Sequence, residues 1–221
     1  MIAALEAWES RETKERAQER ALAPEFARCR PTGITSLDGS LPGYGFPIDG
    51  MTDLRGESWG DKVALAMGVL SCATVRGQRT AYVDGRRAIQ PAVAEAFGVN
   101  RTRLLLATPR DCLQGLKAAE VALGSGRFGV VALDLKIPMV NTRGGRLEGL
   151  LRRLMFAAQR GRSMAIWLSE KPWPLPTSLR LEISAARRGV RVRRLSGTGA
   201  RSPAWKVTLP MTATSCAPSG D

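Results

Sequence analysis

Apolar and polar positions along this chain repeat in two different patterns, and their alternation predicts the architecture. Short runs rich in Val, Leu and Ala recur at 51–55, 80–84, 104–108, 128–134 and 164–169, and these read as strands. Between them, at 62–76, 91–97, 112–124 and 146–160, the sequence reads as helix. At 146–160 the apolar stripe is explicit: Leu147, Leu150, Leu151, Leu154 and Ala158 share one face, and Arg152, Arg153 and Arg160 lie off it. Strand and helix in alternation predict an α/β fold, with a mainly parallel central sheet and helices on both faces.

Two stretches break that rhythm. Residues 178–187, 189–195 and 204–209 read as strands joined by short turns, an antiparallel C-terminal extension. At the other end, 2–22 reads as a polar helix in which Glu12 and Arg16 stand four apart. Its apolar residues, Ile2, Leu5 and Trp8, crowd one end, so it projects from the body, packs on its own core or packs on a partner. Pro24 ends it, and a linker containing Phe26 follows. The expected organisation is an N-terminal helix and linker over 1–30, a core over 31–209 and a small, polar, disordered tail over 210–221.

Composition narrows the chemistry. The 221 residues suffice for one self-supporting core. No apolar run is long enough to span a bilayer and the N-terminus is charged, so a cytosolic protein is expected. There is no histidine, which removes Ser-His-Asp and Cys-His catalysis and His-ligated zinc. Cys29, Cys72, Cys112 and Cys216 form no CxxC pattern; they are expected to be free thiols, with no metal site.

Charge changes the picture more. The net charge is +13, and residues 136–206 alone hold 16 Lys and Arg against Glu148, Glu170 and Glu182. The rest of the chain is balanced. A concentrated basic block points to a polyanion, with DNA the first candidate; the alternative is a solvated face without a partner. The densest run is Arg187-Arg188-Gly189-Val190-Arg191-Val192-Arg193-Arg194. On a strand, Arg191 and Arg193 take one face and the valines the other, which makes either a phosphate track or a charge-protected edge.

After the strand at 51–55 comes Gly56-Glu57-Ser58-Trp59-Gly60-Asp61-Lys62-Val63, in the place of a phosphate loop. Upstream lie Thr32-Gly33 and Leu37-Asp38; downstream lie Tyr82-Val83-Asp84-Gly85-Arg86 and Val130-Val131-Ala132-Leu133-Asp134. Order and spacing together resemble the RecA ATPase core from about Thr32 to about Lys206, most weakly in the last third. The departures fall on the nucleotide site. Asp61 stands for the glycine before the lysine and Val63 for the hydroxyl residue that holds magnesium. By the resemblance, Arg86 takes the place of the catalytic glutamate, while Lys62 and the Walker B residue Asp134 remain.

A RecA-like chain degenerate at these positions, with a polar N-terminal helix, is similar to the ImuA family. That resemblance implies a pseudo-ATPase without cofactor, serving translesion DNA synthesis in the SOS response to DNA damage. Its implied partners are DNA, RecA, an ImuB-like Y-family polymerase homologue and an error-prone replicative-type polymerase. A working RecA-like ATPase or recombinase paralogue and a SulA-like cell-division inhibitor are the alternatives. The resemblance also suggests where DNA would touch. One loop after the Walker B strand holds Arg143 and Arg146 around Gly144-Gly145, and is either a phosphate contact or an ordinary turn. A second, 171–177, offers Trp173 to stack on a base or to cap the core.

Overall fold

The computed structural model describes residues 28–41, 43–48, 50–136, 146–170, 177–186, 189–195 and 204–207. The elements are β1 (Cys29–Arg30), α1 (Thr35–Asp38), β2 (Phe46–Pro47), β3 (Met51–Arg55), α2 (Trp59–Val75), β4 (Thr80–Asp84), α3 (Pro91–Ala96), β5 (Leu104–Ala107), α4 (Cys112–Gly124), β6 (Val130–Asp134), α5 (Arg146–Gly161), β7 (Met164–Leu168), β8 (Leu179–Ala185), β9 (Val190–Arg194) and β10 (Trp205–Val207). The main sheet has eight strands in the order β10-β9-β8-β3-β7-β6-β4-β5. From β8 to β5 neighbours run parallel, and β9 and β10 extend the sheet antiparallel. This is the predicted α/β class.

Side chains alternate between the two faces of a strand, so each central strand feeds two cores. Leu54, Tyr82, Val130, Ala132, Ile166 and Leu168 pack with α2 on one side. Met51, Ala81, Val83, Val131, Leu133, Ala165 and Trp167 pack on the other with Leu116, Leu123, Leu151, Leu154 and Ala158 of α4 and α5. Strands covered on both faces must be apolar throughout, which is why they read as continuous runs. The stripe predicted on α5 faces inward at Leu151, Leu154 and Ala158.

Several details depart from the sequence reading. The segment expected to be a linker contributes β1, which pairs antiparallel with β2. Arg30 ties it to the body, donating to the carbonyls of Gly129 and Arg162. The Thr32–Asp38 motif closes the turn behind it. Asp38 accepts from the Thr32 amide and hydroxyl at 2.9 and 2.7 Å and from the Gly33 amide at 3.0 Å. Gly33 holds φ 91°, and a Cβ there would stand 2.6 Å from Cys72 Cβ. Cys29 and Cys112 are free, but Cys72 is disulfide-bonded, against the expectation of free thiols: spacing along the chain does not limit which cysteines the fold brings together. The helix at 2–22, its Ile2, Leu5 and Trp8, Phe26, and the tail 210–221 lie outside the described residues.

Candidate functional site

The loops after β3, β4, β6 and β7 open at the same end of the sheet, the carboxyl end, where parallel α/β folds place their sites. β3 sits between β7 and β8, so its loop lies at the middle of that edge. Gly56 begins the loop at φ 151°, and a Cβ there would stand 2.1 Å from the Ile183 carbonyl oxygen of β8. Close approach of β8 therefore requires this glycine.

The loop is short because the helix starts early. Ser58 caps α2, its Oγ accepting from the Asp61 amide at 3.2 Å, and Trp59 is the first helical residue. The sequence placed this start three residues later. Gly60, Asp61 and Lys62 thus lie in the first helical turn, where Asp61 suits the positive end of the helix dipole. Lys62 is 1% exposed and folds back under the loop. Its Nζ donates to the carbonyls of Gly56 and Ser169, both at 2.8 Å, joining the ends of β3 and β7. Burial, followed by the nearby Arg86 charge, lowers its pKa. Val63 points into the core at 4% exposure.

Beside Lys62 lies a second cation with two acidic partners. Arg86, two residues beyond β4, donates from Nε to Asp134 Oδ1 at 2.7 Å and from Nη2 to Glu170 Oε1 at 2.5 Å. Asp134 is fully buried at the end of β6. Its other oxygen accepts from Trp59 Nε1 at 2.6 Å and from the Tyr82 hydroxyl at 3.2 Å. Burial, then the Asp134 and Asp84 charges, drive the Tyr82 pKa far upward, keeping the phenol a donor. Asp84 fixes the turn that carries Arg86, accepting from the Arg86 and Ile89 amides. Sequence reasoning named Lys62, Arg86 and Asp134 but missed Trp59, Tyr82 and Glu170. One signal was available: Glu170 is among only three acids in the basic third of the chain.

The RecA N-terminal domain family matches residues 23–166, about two thirds of the chain. The chain belongs to the RecA family. Protein RecA of Deinococcus radiodurans is 33% identical over 135 residues, covering 58% of this chain and 37% of that protein. Protein RecA of Lactobacillus delbrueckii subsp. bulgaricus is 31% identical over 136 residues, covering 59% and 41%. Protein RecA of Oceanobacillus iheyensis is 31% identical over 142 residues, covering 62% and 41%. The matched segments span about two fifths of these relatives' lengths.

A RecA-family fold implies a magnesium nucleotide at the carboxyl end of β3, and the residues here do not fit one. The phosphate-loop pattern needs a hydroxyl after its lysine to hold the metal and backbone amides free to cradle phosphates. Val63 has no oxygen, the Asp61 amide is taken by Ser58, and the Lys62 ammonium is spent on two carbonyls. The Asp134 carboxylate is saturated by a guanidinium, an indole and a phenol. Among the described residues, no group of three acidic, cysteine or histidine side chains gathers to hold a metal.

In this RecA-family chain, the predicted DNA-contact residues whose side chains are described lie on two elements, α5 and β9. On α5, Arg152, Arg153 and Arg160 are exposed. Arg153 pairs with Glu120 of α4 at 2.9 Å, and Arg160 lies against Gly124. On β9, Arg191 is exposed and Arg193 is half-buried, with its guanidinium 3.3 Å from Glu182 of β8. Arg194 is half-buried. The register Arg55↔Glu182↔Arg193 puts this row on the sheet side that α4 and α5 cover farther along. A cleft of about 420 Å³ runs between the row and Gly56, Ser58 and Asp61. Arg146 opens α5, with only its backbone described; Arg143, Trp173, Arg187 and Arg188 lie outside the described residues.

Proposed function

We propose that this RecA-family chain is a non-catalytic, DNA-binding accessory protein. The observation that carries the reading is the Arg86 guanidinium on Asp134, a built-in cation where the fold would otherwise answer to a metal-bound nucleotide. DNA is the favoured polyanion because the charge excess lies in residues 136–206, where Arg152 and Arg191 are exposed on α5 and β9. Binding is sequence-independent, its affinity supplied by phosphate contacts and counterion release.

The finer role follows the ImuA resemblance: service to translesion synthesis in the SOS response, alongside RecA, an ImuB-like polymerase homologue and an error-prone replicative-type polymerase. An apolar cleft on the outer side of the sheet supports this reading. Leu105 on the edge strand β5 and Val121 on α4 are 49% and 73% exposed, beside Arg79, Lys117 and Arg127. Isolated large apolar side chains are ordinary on a surface, but an apolar cleft with a basic rim suits a partner segment.

The deciding experiment is a titration of labelled single-stranded DNA at several salt concentrations, with and without Mg-ATP, paired with calorimetry of Mg-ATP alone. The reading requires salt-sensitive DNA binding that ATP leaves unchanged. Low-micromolar ATP affinity, or ATP turnover that stops in Lys62→Ala, would sink it. For the partners, a chain starting at Pro24 tests whether residues 2–22 carry the contact with RecA. Retention of that contact would rule the helix out.

A further inference from the structure

The outer face of α5 sets an aromatic ring among arginines. Leu151, Leu154, Ala157 and Ala158 are buried, so the opposite face of the helix looks outward. At its centre stands Phe156, 68% exposed, and Arg152 and Arg160 are exposed one turn to either side. Residues four apart share a helix face, and four residues rise about 6 Å, so the ring lies midway between two arginines about 12 Å apart along the axis. Arg153 is exposed beside them but is engaged with Glu120 of α4, its Nε and Nη2 donating at 3.0 and 2.9 Å. Gly149, exposed two turns before Phe156, leaves the face clear: a Cβ there would meet nothing within 4 Å.

A single exposed phenyl ring is ordinary on a protein surface. The setting of this one selects an occupant. A protein partner seated on an apolar anchor needs a contiguous apolar patch around it, and Phe156 has Arg152, Arg153, Gln159 and Arg160 around it instead. A nucleic-acid base needs only the one ring, because every base has a face to stack. Cation, ring and cation in turn match an unpaired strand, which offers phosphate and base in alternation. The bases of a duplex are already stacked on one another. We infer that the outer face of α5 is a single-strand contact, in which Phe156 stacks on an unpaired base and Arg152 and Arg160 hold the phosphates to either side. The inference rests on the proposed DNA binding. It adds the substrate class, single-stranded over duplex, and a stacking contact that charge alone does not supply.

Stacking and phosphate contacts separate by experiment, because phosphate contacts set the salt dependence of binding and stacking does not. The test is fluorescence-anisotropy titration of the full chain and its Phe156→Ala, Phe156→Trp and Arg152→Ala/Arg160→Ala variants at several salt concentrations. The labelled probes are an oligothymidylate, the same backbone with abasic sites in place of the bases, and a duplex of equal length. Melting temperatures and sedimentation of the parent and Phe156→Ala are measured in parallel. Phe156 is exposed and alanine is a good helix former, so Phe156→Ala should melt with the parent.

We expect the parent to bind oligothymidylate more tightly than the abasic strand. Phe156→Ala should lose roughly fivefold or more on oligothymidylate with its salt slope unchanged, and should match the parent on the abasic strand and the duplex. Phe156→Trp keeps a ring and should bind oligothymidylate at least as tightly as the parent. Arg152→Ala/Arg160→Ala should lower the salt slope by about 1.4, two phosphate contacts at about 0.7 each. Oligothymidylate binding by Phe156→Ala as tight as the parent's would overturn the stacking contact and leave DNA binding on β9 standing. If that variant also dissociated a dimeric parent, the ring would be an anchor between copies of this chain. Equal losses on all three probes, or a lowered melting temperature, would overturn the contact too, since the ring would then be supporting the helix. A parent that binds none of the probes would overturn both readings.

Discussion

Arg86 and Asp134 are joined by a 2.7 Å hydrogen-bonded ion pair across two neighbouring strand ends, with the carboxylate fully buried. A buried carboxylate is tolerable only when its charge and lone pairs are met, and here three side chains meet them. The pair therefore belongs to the fold's stability as much as to its surface chemistry.

Removing Arg86 should expose that dependence. Arg86→Met leaves Asp134 buried with only an indole and a phenol, and breaking such a pair costs about 3–5 kcal/mol. In a domain of this size that is a fall of roughly 10 °C in melting temperature. Adding Asp134→Asn removes the stranded charge while keeping an acceptor for Trp59 and Tyr82. The double variant should recover much of the loss, and thermal melts of the three proteins check it.

Rebuilding the phosphate-loop pattern should not restore nucleotide binding. Val63 is 4% exposed within the core, so Val63→Thr buries a hydroxyl without presenting it to a ligand, at about 1–3 kcal/mol. Asp61→Gly leaves α2 starting at Trp59 and Lys62 on its two carbonyls. We expect the Asp61→Gly/Val63→Thr chain to be less stable than the parent and still silent in Mg-ATP calorimetry.

The contrast between those residues shows what the sequence conveyed. The doubly covered strands and the α5 stripe were legible because burial on two faces, or on one helical face, leaves a periodic apolar trace. The departures at Asp61 and Val63 stand out in the sequence because a named role needs a named chemical group. The hub itself was not legible. Trp59, Tyr82 and Glu170 meet Asp134 and Arg86 only after parallel pairing aligns the ends of β4, β6 and β7. The early start of α2 was hidden as well, because the glycine-rich pattern outweighed the cap at Ser58.

The ion pair between Arg86 and Glu170 carries a pH signature. The hydrogen bond from Arg86 holds the Glu170 carboxyl below its ordinary value of 4.5, against a smaller opposing effect of burial. A depressed carboxylate contributes its stability in full above the unfolded-state value and loses it as pH falls through the folded-state value. Glu170 is 57% exposed, so the contribution is on the order of 1 kcal/mol or less. The melting temperatures of the parent and Glu170→Gln should differ slightly at pH 7. The difference should begin to shrink as pH falls below about 4.5 and vanish only beneath the depressed folded-state value, with no such change between pH 6 and 8.

The β9 arginines offer the sharpest test of the DNA surface, because the structure distinguishes residues the sequence treats alike. Arg191 is exposed, and Arg193 is half-buried with Glu182 at 3.3 Å. A phosphate contact made by Arg191 releases about one counterion, so Arg191→Ala should reduce the salt slope of single-stranded DNA binding by roughly 0.7. Arg193 must first be drawn from Glu182, so Arg193→Ala should change the slope less. Glu182→Gln frees that arginine, and in its background Arg193→Ala should cost more affinity than in the parent. Equal, negligible slopes for all three variants would move the DNA contact away from β9, and the exposed Arg152 of α5 would then be the next residue to substitute.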